Sequence, residues 1–291
     1  MVDGLVKASW LFLLSVGLSV IYGVLRILNL AHGSLYALGA FAAAILVTDW
    51  VDHGRWEKGT FMILLVAALL VGLATGPTLE RGVLRWIYGR DQALQLLATY
   101  ALFLVLEGVQ IELWSQESFQ TYVPFGALGN FTLAGVLYPW YYVVLLGVAV
   151  ASGLGLWLFL DRSRFGRLIA AVTYDREISR ALGINLGRVY VVTFTIGAFL
   201  AALGGALSAP TVSVVPGFAV DATVAAFAVV VIGGLGSIAG AALGSLIVGV
   251  AQAWAVHEQP NVEVFVIYVV MTVVLLARPQ GLFAKEAVRR I

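Results

Sequence analysis

The sequence predicts an all-α, polytopic transmembrane helix bundle, and three observations carry the prediction. Of 291 residues, 61% are hydrophobic and 11% charged, with a mean hydropathy of +0.98. Soluble domains carry roughly 45–50% apolar and about 25% charged residues, so this much apolar surface exceeds what one soluble core can hide. The apolar residues fall in long runs of low charge, and a bilayer-crossing helix needs ~20 of them. Glycine occurs 32 times, more than lipid-facing helices require, which points to close helix packing or broken helices. Composition also excludes classes. Disordered chains are polar and poor in aromatics. A net charge of +1 gives no basic field to gather nucleic acid. The absence of cysteine removes disulfides, thiolate metal sites and thiol nucleophiles.

The first apolar run, 5–25, is flanked by Asp3 and Lys7 and continues past Ile21 into more membrane sequence. It lacks the order of a leader, a basic region followed by a small-residue cleavage site, and reads as the first span. Further runs lie near 33–49, 60–79, 92–112, 139–160, 189–209, 222–235, 239–256 and 262–277. The two that flank Gly233 to Gly240 are short and read either as crossing helices or as a hairpin that does not fully cross. The total is eight or nine segments.

Orientation follows from the basic residues. Stretches 80–91 and 161–188 and the tail from Arg278 (with Lys285, Arg289 and Arg290) hold 13 of the 17 Lys and Arg residues. The alternate connections, 113–138, 210–221 and 257–262, hold none. Lys/Arg excess marks the cytoplasmic side, which predicts a cytoplasmic C-terminus and an external N-terminus. Trp50, Trp56, Trp114, Trp140 and Trp254 then anchor outer ends, and Trp86 an inner one.

Two interruptions stand out. In 26–33, Asn29, His32 and Gly33 break an apolar stretch; in 233–240, Gly234, Gly236 and Ser237 do the same. Paired Gly-interrupted segments point to a substrate path, where freed backbone groups and helix N-termini can meet a zwitterion. The alternative is that both are tight turns at the inner surface, with His32 capping a helix. In the run 92–112, Gln92, Gln95, Thr99 and Gln110 share an arc with Glu107 at its edge. Such a stripe avoids lipid and reads as facing the pore or a partner, unless Glu107 snorkels to the outer surface. Ser237, Ser245 and Gln252 align similarly, on a path or as interhelical glue.

The longest basic connection, 161–188, is too apolar for a solvated linker. At ~100° per residue, Leu168, Ala171, Val172, Ile178, Ser179 and Leu182 share one face with Asp175, predicting one short amphipathic helix. Gly183 suits its C-cap. It reads either as a helix lying on the inner bilayer surface or as an element gripped by a cytosolic partner. Asp175 within the apolar face favours gripping, because a carboxylate buried in lipid costs several kcal/mol.

Four stretches together resemble a known family. The run 171–185, with Ala171, Asp175, Gly183, Ile184 and Asn185, is similar to the ATPase-contacting loop of ABC importer permeases. "IYGVLRILNLAHGSLYALG" at 21–39, "VIGGLGSIAGAALG" at 231–244 and "RPQGLF" at 278–283 resemble the smaller permease subunit of branched-chain amino acid ABC importers. Where that pattern carries Phe before Ala-His-Gly, this chain carries Leu30. The resemblance implies an ABC importer permease fold over residues 1–291 as a single transmembrane domain, with 161–188 as its cytoplasmic coupling loop. It further implies a second, different permease subunit, two cytosolic ATPases, an extracytoplasmic binding protein that selects the substrate, and residence in the inner or plasma membrane.

The energy source follows the same logic. The chain has no GxxxxGK[ST] loop, and Gly234-Leu235-Gly236 fails GxGxxG because Gly240 falls one place late. No cofactor is therefore expected in this chain, with ATP and Mg belonging to the partner ATPases. No His/Asp/Glu cluster has metal-ligand spacing. A stand-alone secondary transporter or channel is the alternative, but Glu107 is the only acid well inside a proposed span, which makes ion coupling thin. An intramembrane serine protease would need Ser237 beside His257, and these fall at opposite ends of one proposed helix.

Overall fold

A computed structural model describes residues 2–114, 117–133, 135–259 and 262–283. Helices α1 (Val2–Leu25), α2 (His32–Asp52), α3 (Thr60–Gly82) and α4 (Gln92–Trp114) open the chain. A one-turn helix α5 (Val123–Gly126) and strands β1 (Asn130–Leu133) and β2 (Val136–Pro139) follow. Then come α6 (Trp140–Arg162), the short α7 (Arg164–Tyr174) and α8 (Arg176–Ala181), and α9 (Leu186–Ser208). Helices α10 (Phe218–Gly233), α11 (Ile238–Glu258) and α12 (Glu263–Ala277) complete it. Each of the nine apolar runs is a helix.

Among the described residues, seven helices are long and apolar enough to cross a membrane, whereas α10 and α12 have 16 and 15 residues. At 1.5 Å per residue those two are ~22–24 Å long, short of a ~30 Å hydrocarbon core. α10 begins at Phe218, earlier than its apolar run suggests, because Gly217 adopts φ +94° and turns the chain directly into it.

Lipid offers no hydrophobic drive between helices, so close van der Waals approach holds the bundle together. Small residues make that approach. α1 is the central helix, with a Cβ at Gly17 falling 2.6 Å from the Gly197 carbonyl of α9 and one at Gly249 of α11 falling 2.5 Å from Ala8. α3 lies along α9 through Gly72 at Phe199 and Gly76 at Thr195. Outside this core, α4 and α6 expose Leu97, Val105, Leu113, Val150, Leu154 and Trp157.

The two ends differ. At one end Val24, Leu84, Ile87, Val172, Leu186 and Tyr190 share a core beneath the arginine-bearing connections. At the other, Phe41 stacks on Trp114 at 4.4 Å and meets Phe119, whose backbone pairs with Val214. There the connection after α4 contains an antiparallel β1–β2 hairpin that turns at Gly135 (φ +81°). The all-helical reading did not include this hairpin; β-favouring Phe131, Thr132, Val136 and Tyr138 form it locally.

Candidate functional site

The first interruption is a true helix break inside the bundle. α1 stops at Leu25, and Arg26 takes φ +59°, a left-handed conformation that a residue with a Cβ adopts at a cost. Residues 26–31 are not helical, and α2 begins at His32. Asn29 shapes the turn, since its Oδ1 accepts from Ala31 N at 3.2 Å and its carbonyl from His32 N at 3.2 Å. His32 Nε2 donates to Leu14 O at 2.9 Å, halfway along α1. Leu14 lies 11 residues above Leu25, ~16 Å of helix, and six extended residues cover that rise. α2 therefore starts at mid-height, not at the surface.

Irregular backbone at such depth is tolerated only where protein surrounds it. Here Ile27, Asn29, Ala31 and His32 are all buried. Thr99 of α4 donates from Oγ1 to Leu28 O at 3.1 Å, taking up one of the freed carbonyls. Gly33 lets α10 come against α2, because a Cβ there would overlap Thr223 Oγ1 and the Ala219 carbonyl. Asn29 Nδ2, His32 Nδ1 and Ser34 Oγ are buried without a hydrogen-bond partner among the described residues.

The second interruption is a tight turn. Gly234 and Gly236 have φ +101° and +81°, and Ser237 N-caps α11 by accepting from Gly240 N at 3.0 Å. Gly233 and Gly240 face each other across the hairpin, and a Cβ on either would strike the other's carbonyl. Leu282 N and Phe283 N donate to Ile232 O and Gly233 O, both at 2.9 Å, so the "RPQGLF" segment satisfies the last carbonyls of α10. Gly236 packs on Gly23 in the last turn of α1, whereas Gly33 packs on the first turn of α10. The two interruptions thus sit at opposite ends of α10, and the fold does not bring them together.

The polar stripe of α4 also divides. Gln95 Nε2 donates to Ile87 O at 3.3 Å and Arg90 O at 3.1 Å, tying down the preceding connection. Glu107 Oε1 accepts from Gly217 N at the start of α10, and Gln110 is buried with Nε2 on Leu106 O. Thr99, by contrast, bonds the break through Leu28 O. Ser237 and His257 stand at the two ends of α11, ~30 Å apart along 21 residues.

At the arginine-bearing end, 161–188 is two helices instead of one. The chain bends at Asp175 (φ −149°, ψ 114°), whose Oδ1 accepts from Glu177 N at 2.9 Å and Ile178 N at 3.0 Å. A capping carboxylate competes with helix continuation, which is why the amphipathic pattern does not run through it. Gly183 (φ +82°) closes α8 with its N–H on Arg180 O, while Ile184 N bonds Ser179 O, both at 3.0 Å. Asn185 then caps α9 by accepting from Arg188 N at 3.0 Å. Ala171 O accepts from Asp175 N at 3.0 Å. The family-like residues are thus the punctuation of this element. Its projecting side chains are others: Tyr174 is 84% exposed, Leu182 76% and Ile178 57%. The sequence marked Ile178 and Leu182 as one apolar face with Val172, which is in fact buried; Tyr174 went unmarked, although an aromatic beside a cap was the available signal.

Beside α8 a groove of about 870 Å³ is walled by Arg81, Arg85, Arg176, Arg180, Tyr88 and Tyr190. Buried Glu80 accepts from Tyr88 OH at 2.9 Å. Burial, then the neighbouring carboxylate, pushes the Tyr88 phenol well above its usual range, so it stays a donor.

Residues 1–275 match the family described as branched-chain amino acid transport system / permease component. The high-affinity branched-chain amino acid transport system permease protein BraD of Pseudomonas aeruginosa is 31% identical, covering 100% of this chain and 97% of its own. LivH of Escherichia coli, a permease protein of the same description, is 27% identical over 100% of this chain and 96% of its own. The ribose import permease protein RbsC of Escherichia coli is 28% identical over 76% of this chain. Among solved structures, PsaBC from Streptococcus pneumoniae in complex with Fab shares the fold with a TM-score of 0.50, at 11% identity over 96% of this chain and 91% of that one.

Proposed function

This chain belongs to the branched-chain amino acid transport system permease family, and on that premise we propose that it is the membrane-spanning permease subunit of an ATP-driven ABC importer for branched-chain or related hydrophobic amino acids. It is a multi-pass membrane protein whose full length aligns with transport permeases. That full-length relationship carries the proposal. The partners are a second permease subunit, two cytosolic ATPases that bind ATP and Mg, and an extracytoplasmic binding protein. The chain itself acts as a conduit and not as an enzyme.

In this mechanism the arginine-bearing end faces the cytoplasm, where excess Lys/Arg is retained. The α7–α8 element seats the ATPase through Tyr174, Ile178 and Leu182, large side chains that a partner surface would desolvate. Asp175, Gly183, Ile184 and Asn185 hold that element in shape, with Ala171 as the last-turn acceptor. Substrate passes along the side of the chain where Asn29, His32 and Gly33 break the helix, with Thr99 bracing the break. Gln95, Glu107, Gly234, Gly236 and Ser237 set the positions of the helices around it.

The experiment is reconstitution. Vesicles holding both permeases and the ATPases, supplied with binding protein and ATP, should concentrate leucine, isoleucine or valine. Vesicles holding this chain alone should not. Accumulation by the chain alone would overturn the proposal.

A further inference from the structure

Val24 O lies in the last turn of α1, where carbonyls have no partner within the helix. The chain leaves the helix two residues later at Arg26, and among the described residues no backbone N–H outside the helix donates to Val24 O. Arg176, the first residue of α8 and 152 positions away, donates to it from Nη2 at 2.9 Å. A cation at a helix C-terminus also answers the dipole there. The guanidinium lies 5.7 Å from the centre of the Tyr190 ring of α9. Tyr190 in turn meets Tyr88 edge-on at 4.8 Å, and Tyr88 is held by Glu80. The guanidinium is thus held between α1 and α9, with Tyr88 of the connection after α3 behind the Tyr190 ring.

The outward side of α8 carries exposed Glu177, Ile178, Arg180 and Leu182, while Ser179 is buried. Displacement of α8 reaches the bundle through Arg176, through buried Ser179 and through Ile184, which packs on the core at this end. The Arg176 end delivers it to Val24, just before the left-handed Arg26 and the break at 26–31. We propose that Arg176 is a positioning residue that transmits motion of the α7–α8 element to the helix break, so that ATPase movement changes the conformation of 26–31. This rests on the reading of α7–α8 as the ATPase seat. Packed elements move in discrete small steps, and a guanidinium held on two sides, by the Val24 carbonyl and the Tyr190 ring, passes such a step on.

The test uses the complete transporter in vesicles, with the parent chain, Arg176→Gln and Arg176→Lys. Two readouts are taken: substrate moved per ATP hydrolysed, and amide hydrogen exchange over 26–31 with and without nucleotide. Arg176→Gln should lower the transport-to-hydrolysis ratio about tenfold, in the range that a single coupling contact carries. Exchange at 26–31 should cease to respond to nucleotide while α7–α8 still responds. Arg176→Lys should recover much of the ratio, since an ammonium still donates to Val24 O but lacks the guanidinium's fixed fork. A parent-like ratio with nucleotide-responsive exchange in Arg176→Gln would overturn the proposal and leave Arg176 a simple helix cap. If that variant fails to assemble, Tyr190→Leu serves in its place, with an expected fall of about threefold; a parent-like ratio there overturns the proposal equally. Failure of the parent to import with ATP would instead strike the underlying transport reading.

Discussion

Gly33 shows how much one hydrogen atom decides in a lipid-embedded fold. Its missing Cβ leaves room for both a side-chain hydroxyl and a backbone carbonyl of α10, Thr223 Oγ1 and Ala219 O. Gly33→Ala should separate α2 from α10 and cost about 1–3 kcal/mol, the usual penalty for overpacking. Thr223→Ala on top of it should restore little, because the carbonyl remains. Thermal unfolding of the detergent-purified chain checks both; full rescue by Thr223→Ala would show that the hydroxyl alone sets the limit. The sequence marked Gly33 as an interruption, yet its neighbours are almost 190 residues away and no local pattern names them. Arg26 is the converse case, a residue with a Cβ held at φ +59° where glycine would be easier. Asn29 was legible for a local reason, since its side chain bonds backbone two residues on.

At the scale of elements, the α7–α8 bend turns on a cap. Asp175 accepts from two N–H groups of α8, and an N-cap lost to Ala costs about 1 kcal/mol. Asp175→Ala should fray α8 and lower ATPase-coupled transport, and Asp175→Asn should retain most of it, because Asn caps nearly as well. Binding of purified ATPase to the reconstituted chain measures the difference; equal loss in both variants would mean that charge and not capping matters. Gly183 was readable as a helix stop from residue type alone, whereas Asn185, marked only by the family resemblance, is the N-cap of α9. The continuous helix over 168–182 was not borne out: periodicity weighs apolar positions only and is blind to a carboxylate that ends one helix and begins the next. The interruption at 233–240 carries the same lesson, since glycine marks a turn and a mid-height break alike, and only the packing partners distinguish them. Lys285, Arg289 and Arg290, counted in the basic tail, lie outside the described residues.

Across the whole molecule, the connections 83–91 and 163–185 share one core with the end of α1, and the aromatic connections close the opposite end. The chain contains no cysteine, so single-cysteine labelling can establish sidedness cleanly. Cysteine at the exposed Tyr174 position should react with impermeant maleimide only after the cytoplasmic face is opened, and cysteine at the exposed Tyr122 position should react from outside. The reverse pattern would invert the proposed orientation. The amino-acid order by itself determined that this is a membrane bundle, where its long apolar helices run and where glycines punctuate the chain. Those properties depend on runs of apolar residues and on hydrogen bonds reaching at most a few positions along the chain. Only the tertiary structure decided the depth of the break at 26–31, the separation of the two interruptions along α10, and the link from Arg176 to Val24. Each of these depends on which distant backbone a small residue or a long side chain meets, and lipid, as apolar as the helices themselves, leaves no imprint of that choice on local patterning.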